Sequence, residues 1–163
     1  MVRPLCGCGR DSGQYRVPVI RVEVSREYPT TTAAAFDYIT DPANWPDYWP
    51  DLIRVETPER SWAEPGDEMR LRMRFMRSEV VMQMALDRLV PAQVVEYHSR
   101  QDGMPELRHE RHWEQRDNGF RYRIAVSYEP RPGAKGFFDR VLVRRGVKKA
   151  LTRTLDNLES RLT

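Results

Sequence analysis

The sequence predicts an α+β protein: a seven-stranded curled antiparallel sheet around one long C-terminal helix, with two short helices between strands 1 and 2. Three observations carry that reading. Six segments between residues 51 and 130 read as strands, most of them alternating apolar and polar residues at period two. The last stretch instead places Val147, Leu151, Leu155, Leu158 and Leu162 at spacings of three and four, the stripe of an amphipathic helix. Between the strands, "EPGD", "VPAQ", "DGMP" and "RDNG" are short turn signals, and short connections between successive strands mean antiparallel pairing.

The elements follow in order. "YRVPVIRVEVSREY", residues 15–28, is rich in β-branched residues and alternates over "IRVEVS", so it is the first strand. "TTTAAAFDYITDP" opens with threonines able to cap a helix and stops at Pro42. "ANWPDYWP" allows only a short second helix, because Pro46 and Pro50 forbid anything long. "DLIRVETPER" is the second strand. "GDEMRLRMRF" then sets Met69, Leu71, Met73 and Phe75 on one face and Glu68, Arg70, Arg72 and Arg74 on the other. "SEVVMQMALDRL" aligns Val80, Met82, Met84 and Leu86, and "AQVVEYHSR" aligns Val95, Tyr97 and Ser99. "HERHWEQ" follows, then "GFRYRIAVSYEP" with Phe120, Tyr122, Ile124, Val126 and Tyr128 together. The final helix, roughly Lys135 to Leu162, spans about 40 Å at about 1.5 Å per residue. Gly146 inside it costs about 1 kcal/mol against alanine; it is either simply tolerated or, the favoured reading, the mark of a kink or a close approach.

Bulk properties narrow the function. The chain has 163 residues, 40% hydrophobic and 31% charged, which suits one globular domain over residues 15–163 behind a flexible extension, residues 1–14. No apolar run approaches the roughly 18 residues of a membrane span, and "MVRPLCGCGRDSGQ" lacks a signal-peptide core, so a cytoplasmic protein is expected. Cys6 and Cys8 stand alone, too few for a zinc site. His109 and His112 fall on opposite strand faces and cannot share a metal, so no metal and no cofactor are expected. Net charge is +3, with 27 basic and 24 acidic residues interleaved. The densest basic run, "VRRGVKKALTR", reads as the wet face of the last helix, with Arg144, Arg145, Lys148, Lys149 and Arg153, rather than a nucleic-acid patch. A monomer or homodimer is expected.

"AAAFDYITDPANWPDYWPDLIRVE", with its Phe-Asp-Tyr-Ile helix ending at Asp41-Pro42 and its Trp45-Pro46 and Trp49-Pro50 pairs, resembles the START-like (SRPBCC) superfamily. "GDEMRL" after the second strand and "LDNLESRL" at the end extend the resemblance over residues 17–162. The similar branches are the polyketide cyclase/dehydrase-like and coenzyme-Q-binding proteins. The resemblance implies a helix-grip fold and a deep, largely apolar cavity between sheet and helix for a lipid, polyketide or isoprenoid/quinone-like molecule. It implies no single chemistry.

"HERHWEQ" raises the question of the site. His109, Arg111 and Trp113 share one strand face; Glu110, His112 and Glu114 take the other. If Trp113 faces inward, a guanidinium and an imidazole go with it, and an unpaired buried charge costs several kcal/mol. The candidate ligand-binding set is therefore Met69, Leu71, Met73, Phe75, Met82, Met84, Tyr97, Ser99, His109, Arg111, Trp113, Phe120, Tyr122 and Ile124. The plain alternative is that Arg111 reaches solvent or pairs with an acid such as Asp37. Likewise Trp45, Tyr48 and Trp49 either plug one end of the sheet or touch a ligand. Three functions remain: binding of a small hydrophobic molecule; aromatase/cyclase or dehydratase chemistry with Arg111, His109 and Tyr97 as candidate catalytic groups; and docking through the basic last helix.

Overall fold

The computed structural model describes residues 19–57, 62–75 and 78–162. The 1–14 extension, the first residues of the predicted strand 1, and the side chain of Phe75 lie outside the described residues. Strand β1 (Ile20–Tyr28) leads into α1 (Thr32–Thr40), a 3-10 turn (Pro42–Asn44) and the one-turn helix α2 (Trp45–Tyr48). Thr31 caps α1 by accepting from Ala34 N, and Asp41 ties down the next turn by accepting from Ala43 N at 2.9 Å. Six strands follow: β2 (Leu52–Val55), β3 (Glu68–Phe75), β4 (Ser78–Val90), β5 (Val94–Gln101), β6 (Leu107–Arg116) and β7 (Gly119–Tyr128). All pairings are antiparallel, in the order β1-β7-β6-β5-β4-β3-β2, so the sheet brings its first and last strands together.

Where β6 turns into β7, Gly119 sits at φ +142°, and a Cβ there would fall 2.0 Å from the Tyr28 carbonyl oxygen. Only glycine lets β1 end against that turn.

The predicted C-terminal helix runs over residues 134–162 but is not uniform. It consists of α3 (Ala134–Phe138), a wide π-helical turn (Asp139–Val143) and α4 (Arg144–Leu162). The close approach expected at Gly146 is absent, since a Cβ there would meet nothing within 4 Å. The irregularity lies upstream, at the turn that begins with fully buried Asp139. Its carboxylate accepts from Arg131 N at 2.8 Å, Nε at 3.0 Å and Nη2 at 2.7 Å.

Helix α4 buries Leu151, Leu155, Leu158 and Leu162, as the stripe predicted. It is docked by polar contacts as well. Arg26, on the helix-facing side of β1, pairs with Asp156 and Glu159 at 2.5 and 2.8 Å, while Tyr28 donates to Leu155 O at 2.9 Å. Asn157 Nδ2 donates to Tyr48 O at 3.0 Å, fastening α4 to α2. The cations Arg144, Arg145, Lys148, Lys149 and Arg153 are exposed, and Arg153 reaches Asp51 at 3.5 Å. Among the described residues, no helix is long and apolar enough to cross a membrane.

Candidate ligand-binding site

Strand β6 places its side chains as the alternation predicted. His109, Arg111 and Trp113 are buried, while Glu110, His112 and Glu114 line the outer face. Their outer partners lie on β7 and β1. Glu114 stands opposite Arg121 and reaches Arg123 Nε at 4.0 Å. Glu110 instead faces Ala125, and its carboxylate takes both Arg21 nitrogens, at 2.7 and 2.9 Å, from two strands away.

Inside, Arg111 is only 6% exposed. Its Nη2 donates to the Tyr97 hydroxyl at 2.8 Å. Its guanidinium carbon lies 5.1 Å from the Tyr97 ring centre and 5.2 Å from that of Trp49, within cation–π range of both. The Tyr48 hydroxyl, which donates to Ile39 O at 2.7 Å, is a further oxygen interacting with the guanidinium. Tyr97 stacks on His109 at 4.4 Å, and His109 Nε2 lies 2.8 Å from Ser99 Oγ. Trp113 packs against Phe36 at 5.1 Å and Tyr122 at 4.9 Å. Asp37, the acid considered as a partner for Arg111, is exposed on α1 and makes no ion pair with it.

The remaining candidates divide by position. Met69, Leu71, Met82, Met84, Tyr122 and Ile124 are buried on the same inner face, and Met73 is half-buried. Phe120 is also inward but stacks on Tyr28 at 5.4 Å, where β1 ends. Trp45 and Tyr48 are buried and close one end of the sheet, whereas half-buried Trp49 covers Arg111. Aromatic rings fill the space around the guanidinium. One open recess, of about 720 Å³, is lined by charged outer-face residues including Asp87, Glu96 and Arg108.

Sequence reasoning missed Trp62. It is buried from the loop before β3 and packs edge-on against Tyr97 at 5.8 Å and Trp45 at 5.7 Å. A lone tryptophan in the polar stretch "ERSWAEP" was the available signal.

Electrostatics follow from burial. It raises the Tyr97 and Tyr122 phenols above their ordinary range and takes Tyr48 up to about 12, with Arg111 pulling each of them back. All three are neutral at pH 7, and Arg111 remains a cation. Burial, followed by the Arg111 charge, drops His109 to about 3, so it is a neutral imidazole. An unfolded chain binds a proton there near pH 6.5 while the folded one does not, so His109 subtracts stability as pH falls from about 6.5 toward 3. The expected loss is about 1–2 kcal/mol between pH 6.5 and 5, above the range where carboxylates titrate. Urea unfolding of wild type and His109→Gln at both pH values tests it; an equal drop in both proteins counts against it. Among the described residues, no group of three or more His, Cys, Asp or Glu side chains is placed to hold a metal.

A curled antiparallel sheet gripping a long C-terminal helix, with its inner face turned toward that helix, defines a helix-grip fold. The chain belongs to the polyketide cyclase / dehydrase and lipid transport family, whose model matches residues 19–163. Solved structures agree on the fold. The di-domain ARO/CYC StfQ from the steffimycin biosynthetic pathway superposes with a TM-score of 0.74 at 14% identity over 88% of this chain. This chain spans 50% of the length of StfQ. TTHA0849 from Thermus thermophilus gives 0.71 at 17% identity, covering 88% of this chain and 97% of its own. Ara h 8.0201 gives 0.69 at 15%, covering 89% and 98%. A search of the curated proteins found no match.

Proposed function

We propose that this protein binds a small, mainly apolar molecule on the inner face of its sheet, beneath α4, with its polar group among Tyr97, Ser99, His109 and Arg111. The observation that carries this is Arg111 itself. A guanidinium inside an aromatic box, with phenol oxygens for partners and no carboxylate, is an expensive way to stabilise a fold. An apolar lining with a few convergent polar groups is the general character of a small-molecule site. The buried methionines Met69, Met82 and Met84 suit it, because flexible thioethers re-pack around a guest. Entry requires Trp49 to swing aside. It is the half-buried member of the box, and it stands between Pro46 and Pro50, two residues before Asp51 at φ +69°.

Titration with the neutral fluorophore N-phenyl-1-naphthylamine tests the reading. Saturable one-to-one binding is expected, displaced by an apolar metabolite extract. Fluorescence that rises without saturation, or is untouched by the extract, argues against an interior site.

The second reading is an aromatase/cyclase or dehydratase acting at the same place. The observation favouring it is that the rings of neutral His109 and of Tyr97, whose hydroxyl is bound by Arg111, stack at 4.4 Å, placing a base and an acid beside an electrophilic cation.

A further inference from the structure

The charges and hydrogen bonds around Arg111 do not close. A guanidinium has five N–H donors; Tyr97 accepts one of them and the Tyr48 hydroxyl also interacts with the group, which leaves donors over. The Nε of Arg111 is buried without a hydrogen-bond partner among the described residues. So are Trp113 Nε1 and the Tyr122 hydroxyl. These three orphaned groups share one small area. Arg111 and Trp113 are two apart on the inner face of β6, and Tyr122 stands directly opposite Trp113 on β7. Buried polar groups of this kind are ordinarily satisfied.

We infer that the bound molecule is a monocarboxylate, its carboxylate seated against Arg111 Nε, Trp113 Nε1 and the Tyr122 hydroxyl, and its apolar body against the sheet; this rests on the interior site proposed above. A carboxylate offers two oxygens with about four acceptor positions, enough for all three donors. Its single charge equals that of the one cation. A phosphate monoester would bring close to two charges and leave an excess buried. A neutral carbonyl could accept hydrogen bonds but would leave the guanidinium uncompensated. The surrounding phenols cannot supply the counter-charge, because all are neutral at pH 7. An aromatic cage also suits a ligand whose body is apolar and whose charged end is fixed by orientation.

The test is isothermal titration at pH 7.5 with two matched pairs, decanoate against decanamide and 2-naphthoate against 2-naphthamide. At least one acid is expected to bind about tenfold or more tighter than its amide, the usual gain from a desolvated charge-assisted pair. Arg111→Met should abolish that preference while the amide still binds, and Arg111→Lys should keep part of it. Trp113→Phe, which retains the ring and removes the N–H, should weaken the acid several-fold and the amide by less, because a charge-assisted hydrogen bond is the stronger one. That variant stands in if Arg111→Met does not fold. Arg145→Gln on the outer side of α4 should change nothing, and an effect there as large as at Arg111 would overturn the inference by making the preference a surface effect. Equal affinity of acid and amide in the wild type overturns the anionic ligand and leaves the interior site standing. Failure of all four compounds to bind overturns the interior site and the carboxylate with it.

Discussion

Replacing Trp45 with alanine is expected to cost about 3–5 kcal/mol of folding free energy, the range for deleting a buried large aromatic. Trp45 is almost wholly buried and joins three parts of the molecule. Its Nε1 donates to Ile39 O at 3.1 Å, holding α2 to α1. Its ring meets Trp49 edge-on at 5.6 Å and Trp62 edge-on at 5.7 Å, joining α2 to the loop before β3. Alanine leaves both rings facing a hole, and the prolines on either side prevent α2 from collapsing inward to fill it. Trp49→Ala should cost clearly less, because that residue is already partly exposed. Urea denaturation of the two variants reads the difference. Equal costs would mean that Trp49 belongs to the plug and does not act as a cover over Arg111.

Asp139→Asn is expected to destabilise by about 3 kcal/mol, since breaking one partner of an enclosed pair leaves the other uncompensated. Asp139 is 0% exposed and takes three hydrogen bonds from Arg131, while its own carbonyl accepts from Tyr128 at 2.7 Å. The outer pair Arg116–Glu114, also 2.7 Å apart, is open to solvent on both sides, so Glu114→Gln should cost under about 1 kcal/mol. The shortest contact is equal in the two pairs, while burial and the number of hydrogen bonds differ, which makes the two variants a useful contrast. The Arg131 hydrogen bonds hold the Asp139 carboxyl below its usual range. Its folded pKa is therefore depressed. The stabilisation is complete above the unfolded value near 4 and is lost as pH falls through the lower folded value. Acid unfolding of Asp139→Asn should accordingly be shallower than that of the wild type.

What the sequence reveals and what it hides divide along physical lines. Strict alternation in β3 leaves one consistent arrangement, with Met69 and Leu71 inside and Arg70 and Arg72 outside, and the same reasoning carries His109, Arg111 and Trp113 inward on β6. Parity is a local property of extended backbone, so it can be read without knowing any partner. The partners themselves are not local. The cover over Arg111 comes from α2, its phenol from β5, and the ring behind that phenol from a loop with no periodicity at all. The Arg131–Asp139 pair joins a turn to a helix across eight residues that carry no repeating pattern. Nothing in Gly146 distinguishes a tolerated glycine from a close approach, whereas the "NG" at Gly119 could be read as a turn though not as a steric necessity.

The pairing of β1 with β7 also sets how the chain must be born. Each of the nine rungs from Ile20–Tyr128 to Tyr28–Phe120 joins residues about a hundred positions apart, so β1 has no strand partner until β7 has left the ribosome. Loop closure of that length comes late, and a topology dominated by such distant contacts folds in milliseconds to seconds rather than microseconds. During that wait β1 is a bare edge that could pair with another nascent copy. Arg21, Glu23, Arg26 and Glu27, set among its apolar residues, keep it charged along its length, a guard against premature association.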